Sequence, residues 1–114
     1  MLYEYKCIIK RIVDGDTVDI DIDLGFDTWL INRRVRIVHI DTPEVRTRDL
    51  QEKELGLAAS ARAAELLPVG TNQILHSKEF NGKYGRLIGD FYVNNNADMY
   101  SDIMLKEGFA TYYK

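Results

Sequence analysis

Hydrophobic and polar residues change rhythm along this chain, and the changes divide it into strands and helices. Tyr3 to Val13 is rich in aromatic and β-branched residues, which favours a strand, and Asp14-Gly15-Asp16 supplies a turn after it. Val18, Ile20, Ile22 and Leu24 then alternate strictly with Asp19, Asp21 and Asp23. Successive strand side chains point to opposite faces, so this segment predicts a half-buried strand with the three aspartates on its wet side. Gly25-Phe26-Asp27 interrupts the pattern. A third strand follows from about Thr28 to Ile40 and runs into Asp41-Thr42-Pro43, where proline has no N–H for a ladder.

Residues 43–54 are polar and charged and read as a loop. From Leu55 the period lengthens: Leu55, Ala58, Ala59, Arg62 and Leu66 fall at helical spacing, with Pro68 and Gly70 ending the helix. Two more strands are expected, Asn72–Phe80 and Arg86–Val93, joined through the hairpin signal Asn81-Gly82. Asn94-Asn95-Asn96 marks another turn. Ser101 is placed to cap a short helix with Met104 and Leu105 inward, closed by Gly108. Three strands, a helix, two strands and a helix is the order of an OB-fold, a mainly β (α+β) five-stranded Greek-key barrel. The expectation is one such domain over residues 1–114.

Composition agrees with a folded domain: 46% of residues are hydrophobic and 29% charged over 114 positions. Cys7 is the single cysteine, so there is no intramolecular disulfide, and no Cys/His cluster suggests zinc. Its setting in Cys7-Ile8-Ile9 predicts a core thiol. The first six residues hold no apolar signal core, and nowhere do eighteen apolar residues run together. A cytoplasmic protein is therefore expected, with a secreted form whose signal has been trimmed as the alternative. The net charge of −3 at first disfavours a nucleic-acid partner. Its distribution changes the picture, because residues 14–27 hold six aspartates while Arg33, Arg34, Arg36, Arg46 and Arg48 follow. Such segregation puts cations that can hold phosphate beside carboxylates that can hold a metal.

Three short segments concentrate the candidate chemistry: Asp14-Gly15-Asp16-Thr17, Arg36 through Asp41-Thr42-Pro43-Glu44, and Lys83-Tyr84-Gly85-Arg86. Phosphodiester hydrolysis needs a placed water, a group to take its proton, and positive charge on the phosphorane oxygens. Asp16 and Asp41 can supply hard oxygen ligands and Thr42 a backbone carbonyl, a set that suits calcium. Glu44 follows a rigid proline that would fix its direction. Arg36 and Arg86 carry planar forks that match phosphate oxygens. His39 reads as a packed or partly exposed strand residue.

These segments resemble, in order and separation, the three signature stretches of the thermonuclease (staphylococcal nuclease) family. The similarity continues through Gly56 and Ala59-Ser60-Ala61 to Lys106-Glu107-Gly108-Phe109-Ala110, nearly the whole chain. The resemblance implies a calcium-dependent nuclease that cuts DNA and RNA with little sequence preference and leaves 3′-phosphate ends. Asp16 and Asp41 would bind Ca2+ through carboxylates and Thr42 through its carbonyl. Glu44 would orient or activate the attacking water, and Arg36 and Arg86 would bind the phosphate. Lys83 and Tyr84 would sit near a terminal phosphate of the nucleotide.

Two features depart from the familiar secreted members. The stretch between Asp16 and Arg36 is longer and carries Phe26, Trp29, Leu30 and Ile31. It reads either as an apolar hairpin folded onto the barrel or as a homodimer or partner contact through residues 24–34. The chain stops at Lys114, before the place of that nuclease's third helix, and Tyr112 and Tyr113 lie near its substrate-stacking tyrosines but out of register. The rival reading is a non-catalytic nucleic-acid- or protein-binding module of the same type. Such a module should lack one or more of the five charged positions Asp16, Arg36, Asp41, Glu44 and Arg86, and all five are present.

Overall fold

The computed structural model describes residues 3–81 and 86–113, with Asn81 and Arg86 described by their backbone alone. The strands are β1 (Tyr3–Asp14), β2 (Thr17–Asp23), β3 (Trp29–Ile37), β4 (Ile40–Asp41), β5 (Asn72–Asn81), β6 (Arg86–Val93), β7 (Asp98–Met99) and β8 (Thr111–Tyr112). Helix α1 (Leu50–Leu66) lies between β4 and β5, and α2 (Tyr100–Lys106) follows β7. The main sheet runs β3-β2-β1-β5-β6-β7, and β3 also pairs with β6 in parallel, from Val35↔Leu87 to Ile37↔Gly89. That pairing closes five strands into a barrel and removes the open edges a flat sheet would leave. The fold is the expected OB-fold-like α+β barrel.

Strand β1 pairs with β2 on one side and β5 on the other, and two register shifts bend it between Ile9 and Asp14. Bulges of this kind increase local twist, as a small closed barrel requires. Ile9, Ile20, Val35, Leu75 and Phe91 fill the interior from five strands, while Ala59, Ala63, Leu67, Tyr100 and Met104 close one end.

Several local expectations change on contact with the structure. Helix α1 begins at Leu50, inside the segment read as a loop, because the Asp49 carboxylate accepts the N–H groups of Gln51 (3.0 Å) and Glu52 (3.3 Å). Its buried stripe is Gly56, Ala59 and Ala63, whereas Leu55 and Ala58 are exposed. Small residues are selected there because the helix lies directly on backbone. Asp21 is not on a wet face. It is buried, accepts the N–H of Asn32 at 2.8 Å and meets the Lys10 ammonium at 3.6 Å. The cause is a register shift between Ile20 and Ile22 in the β2–β3 pairing, which breaks the simple alternation.

Strand β3 ends at Ile37, and His39 turns the chain in the left-handed region at φ 64°. Ser101 does not cap α2. Met99 occupies the cap position without a side-chain bond, and Asp90 of β6 accepts the Ser101 N–H at 3.1 Å instead. Asn94, Asn95 and Asn96 all take positive φ, as expected of a turn, and Gly108 does so just past α2.

The 24–34 stretch does not fold onto the barrel as an apolar hairpin. Leu30 is half-buried, but Trp29 and Ile31 are exposed and Phe26 is fully exposed at φ 54°.

Cys7 is a core thiol, 1% exposed, and burial pushes its pKa up to about 12. The thiolate is the reactive form, so a thiol reagent at pH 8 should fail to label the folded protein and label one equivalent once denaturant unfolds it. Rapid labelling of the native chain would contradict this packing.

Candidate active site

Three separate elements meet at the turn between β1 and β2. A Cβ built on Gly15 would lie 2.9 Å from Thr42 Cγ2 and 3.0 Å from the Ala59 methyl of α1. Only glycine lets the turn, the loop after β4 and the helix approach so closely. From below, the Tyr100 hydroxyl of α2 donates to the Gly15 carbonyl at 2.5 Å. Burial raises the pKa of that phenol, and the charges of Asp16 and Asp90 add to the effect, so it stays a neutral donor.

The packed turn aims Asp16. Its Oδ2 accepts the Thr42 N–H at 3.0 Å and its Oδ1 accepts the Thr17 hydroxyl at 2.8 Å. Its carbonyl accepts the Ile37 N–H at 2.8 Å, tying the turn to the end of β3. From that strand end, Arg36 reaches both predicted carboxylates: Nη1 stands 3.4 Å from Asp16 Oδ2 and Nη2 3.5 Å from Asp41 Oδ1. Asp16 is buried while Asp41 is exposed. The structure therefore brings Asp16, Arg36, Asp41 and Thr42 together. Thr42 Oγ1 is buried with no hydrogen-bond partner among the described residues.

Glu44 takes a different place. It is exposed, makes no hydrogen bond or ion pair among the described residues, and lies along a cleft with Arg11, Asp14, Arg34 and Arg46. Two contacts fix its backbone. The next residue, Val45, donates its N–H to Asp14 Oδ1 at 3.3 Å. A Cβ on Gly56 of α1 would lie 2.6 Å from the Glu44 carbonyl oxygen and 2.8 Å from that of Pro43, so the helix rests on this peptide. Among the described residues no three His, Cys, Asp or Glu side chains converge as a metal site. Lys83 and Tyr84 lie outside the described residues, as does the side chain of Arg86.

The pairing of β4 with β8 adds residues that the sequence reading left unassigned. The Tyr113 N–H donates to the His39 carbonyl at 2.8 Å, and the Tyr113 ring lies with its centroid 5.7 Å from Arg36 Cζ. The His39 and Tyr112 rings stack at 5.8 Å with 13° between their planes. Both tyrosines are exposed, so an open aromatic ledge borders the Arg36 cluster. The available signal was Thr111-Tyr112-Tyr113, a β-favouring run just after the Gly108 cap.

Known proteins resemble this chain over most of its length. A family profile described as "Staphylococcal nuclease homologue" matches residues 34–114. The chain is 34% identical over 103 residues to a thermonuclease of Staphylococcus intermedius, covering 90% of this chain and 56% of that protein. It is 35% identical to the SPbeta prophage-derived endonuclease YokF of Bacillus subtilis (strain 168), again over 90% of this chain but 32% of the relative. Endonuclease YncB of the same organism is 33% identical over the same share of this chain and 45% of its own length. The chain thus spans about half or less of each of these relatives.

The Gly56 contact yields a direct test. Alanine is the better helix former by about 1 kcal/mol, yet overpacking against rigid backbone costs about 1–3 kcal/mol. Gly56→Ala should therefore lower stability in a urea titration and displace the Pro43–Glu44 peptide. A more stable variant would show that α1 can move away freely.

Proposed function

Since this chain belongs to the staphylococcal nuclease family, we propose that it is a calcium-dependent phosphodiester hydrolase acting on DNA or RNA with little sequence preference and leaving 3′-phosphate ends. The observation that carries this reading is the Arg36 guanidinium set between two carboxylates, one of them locked by the Thr42 amide. Both carboxylates contact the Arg36 guanidinium, and the Thr42 hydroxyl, without a hydrogen-bond partner among the described residues, adds a buried oxygen on the same loop. An all-oxygen donor set of this kind fits calcium, with backbone carbonyl and water completing a large, irregular shell. Asp16, Asp41 and the Thr42 carbonyl are the proposed ligands. When bound, the ion would supply Lewis acidity to a phosphate oxygen.

The chain's own residues divide the remaining work. Arg36 is half-exposed and its ion pairs are long, at 3.4 and 3.5 Å, so its fork can exchange them for phosphate oxygens as charge builds there, while Nη1 also donates to the Ile37 carbonyl at 3.2 Å. Arg86 is assigned the leaving-group side, and Lys83 and Tyr84 a terminal phosphate, on the strength of the family resemblance. Glu44, exposed and held by its backbone alone, is free to swing toward an attacking water and accept its proton. The His39–Tyr112 ledge offers an unpaired base a stacking surface, and stacking tolerates any base.

A second reading has its own support. Glu44 lines a cleft with Arg11, Asp14, Arg34 and Arg46 and makes no ion pair with Arg36, and a module that binds without cutting needs no base at the carboxylates. One experiment separates the two. The purified protein is given single-stranded DNA, duplex DNA and RNA, each with calcium or with chelator. Cleavage should require calcium, and Glu44→Gln should lower kcat by about 10²–10³ while leaving nucleotide affinity nearly unchanged. Cleavage that survives chelation would overturn the calcium assignment. Binding without cleavage under all conditions would favour the second reading.

A further inference from the structure

None of the proposed catalytic or ligand residues lies on α2, yet α2 touches the centre of the site. We propose that Tyr100 is a positioning residue whose hydroxyl, donated to the Gly15 carbonyl, fixes the turn that aims the Asp16 carboxylate. The consequence for turnover rests on the proposed hydrolytic function; the positioning itself does not.

The packing and this bond together leave the turn little freedom. Gly15 is pressed by Thr42 and Ala59 on its Cα side, and its carbonyl meets the Tyr100 hydroxyl at 2.5 Å. Tyr100 is completely buried, so its ring cannot swing away into solvent. Its own position is set from β6. The buried Asp90 carboxylate accepts the N–H of Phe91 at 2.9 Å, the N–H of Ser101 at 3.1 Å and the Ser101 hydroxyl. Asp90 thereby caps the first turn of a helix whose own cap residue, Met99, makes no side-chain bond. The chain of contacts runs from Asp90 through the start of α2 to Tyr100, then to Gly15 and Asp16.

Phenylalanine at position 100 would fill the same volume and leave the Gly15 carbonyl without its donor. A buried carbonyl stripped of its partner is costly, so the turn should shift to recover one. Two amides report such a shift directly, since the Thr42 N–H is held by Asp16 Oδ2 and the Ile37 N–H by the Asp16 carbonyl. The Ile9 N–H, bonded to Thr71 O at 3.1 Å, is an internal reference outside the turn.

The test is amide hydrogen exchange on Tyr100→Phe, with steady-state kinetics alongside. Exchange at Thr42 and Ile37 should accelerate by about tenfold or more relative to Ile9, the scale of one lost buried hydrogen bond. The kcat should fall with KM little changed. Arg62→Gln removes the ion pair between α1 and Glu107, and should lower the melting temperature without this selective acceleration or the loss of kcat. Asp90→Asn keeps the shape of the cap and loses one acceptor, so it should reproduce the pattern of Tyr100→Phe at smaller amplitude. Equal acceleration at Thr42, Ile37 and Ile9 would overturn the proposal, because it marks general loosening. Unchanged exchange at Thr42 would overturn it too. Selective acceleration in a protein that cleaves no nucleic acid would uphold the positioning and remove the hydrolytic reading.

Discussion

The space around Gly15 is too small for a methyl group, and most of what this protein can do follows from that crowding. The β1–β2 turn, the Thr42 loop and α1 meet there at van der Waals limits. Tyr100 closes the fourth side with a hydrogen bond. Close packing transmits displacement, so elements far apart in sequence hold the turn in one arrangement. Asp16 follows Gly15 directly and inherits that rigidity, with its carboxylate bound to the Thr42 amide and its carbonyl to the Ile37 amide.

From this fixed turn the candidate site grows outward with increasing freedom. Asp16 is buried and bonded, Arg36 is half-exposed with two long ion pairs, and Asp41 and Glu44 are exposed. The gradient suits a site that takes up charged partners. Groups that must be ready before binding are held by the barrel and helices, and groups that must answer a substrate keep room to move. The β4–β8 pairing extends the arrangement by placing Tyr112 and Tyr113 beside His39 and Arg36. A barrel closed by parallel β3–β6 pairing supplies the stable platform beneath.

What the sequence discloses of this design depends on how local each feature is. The long strands, the Asp14-Gly15-Asp16 turn and the Asn94-Asn95-Asn96 turn obey rules that act within a few residues, and they appear where the pattern puts them. The meeting of Asp16, Arg36, Asp41 and Thr42 was legible too, because their three-part order matches a family. Asp21 was not, since a shift of pairing with β3 decides its burial. The buried stripe of α1 was misjudged because it is chosen by the Pro43–Glu44 peptide opposite, which rewards Gly56 over Leu55. The start of that helix had a readable signal, Asp49 followed by Glu52 at the third position, which the charged composition of residues 43–54 obscured. Tyr100 left no trace, as a tyrosine in a helix reads as ordinary core until its hydroxyl is seen to end on Gly15.

Asp16 and Asp41 are proposed to form one cation site beside Arg36. Calorimetric titration of calcium into the protein, with a 5′-phosphorylated dinucleotide present, tests it most directly. The expected result is one calcium per chain, with binding lost in Asp16→Ala and in Asp41→Ala while each variant keeps its fold by circular dichroism. Calcium binding of undiminished strength in either variant would contradict it.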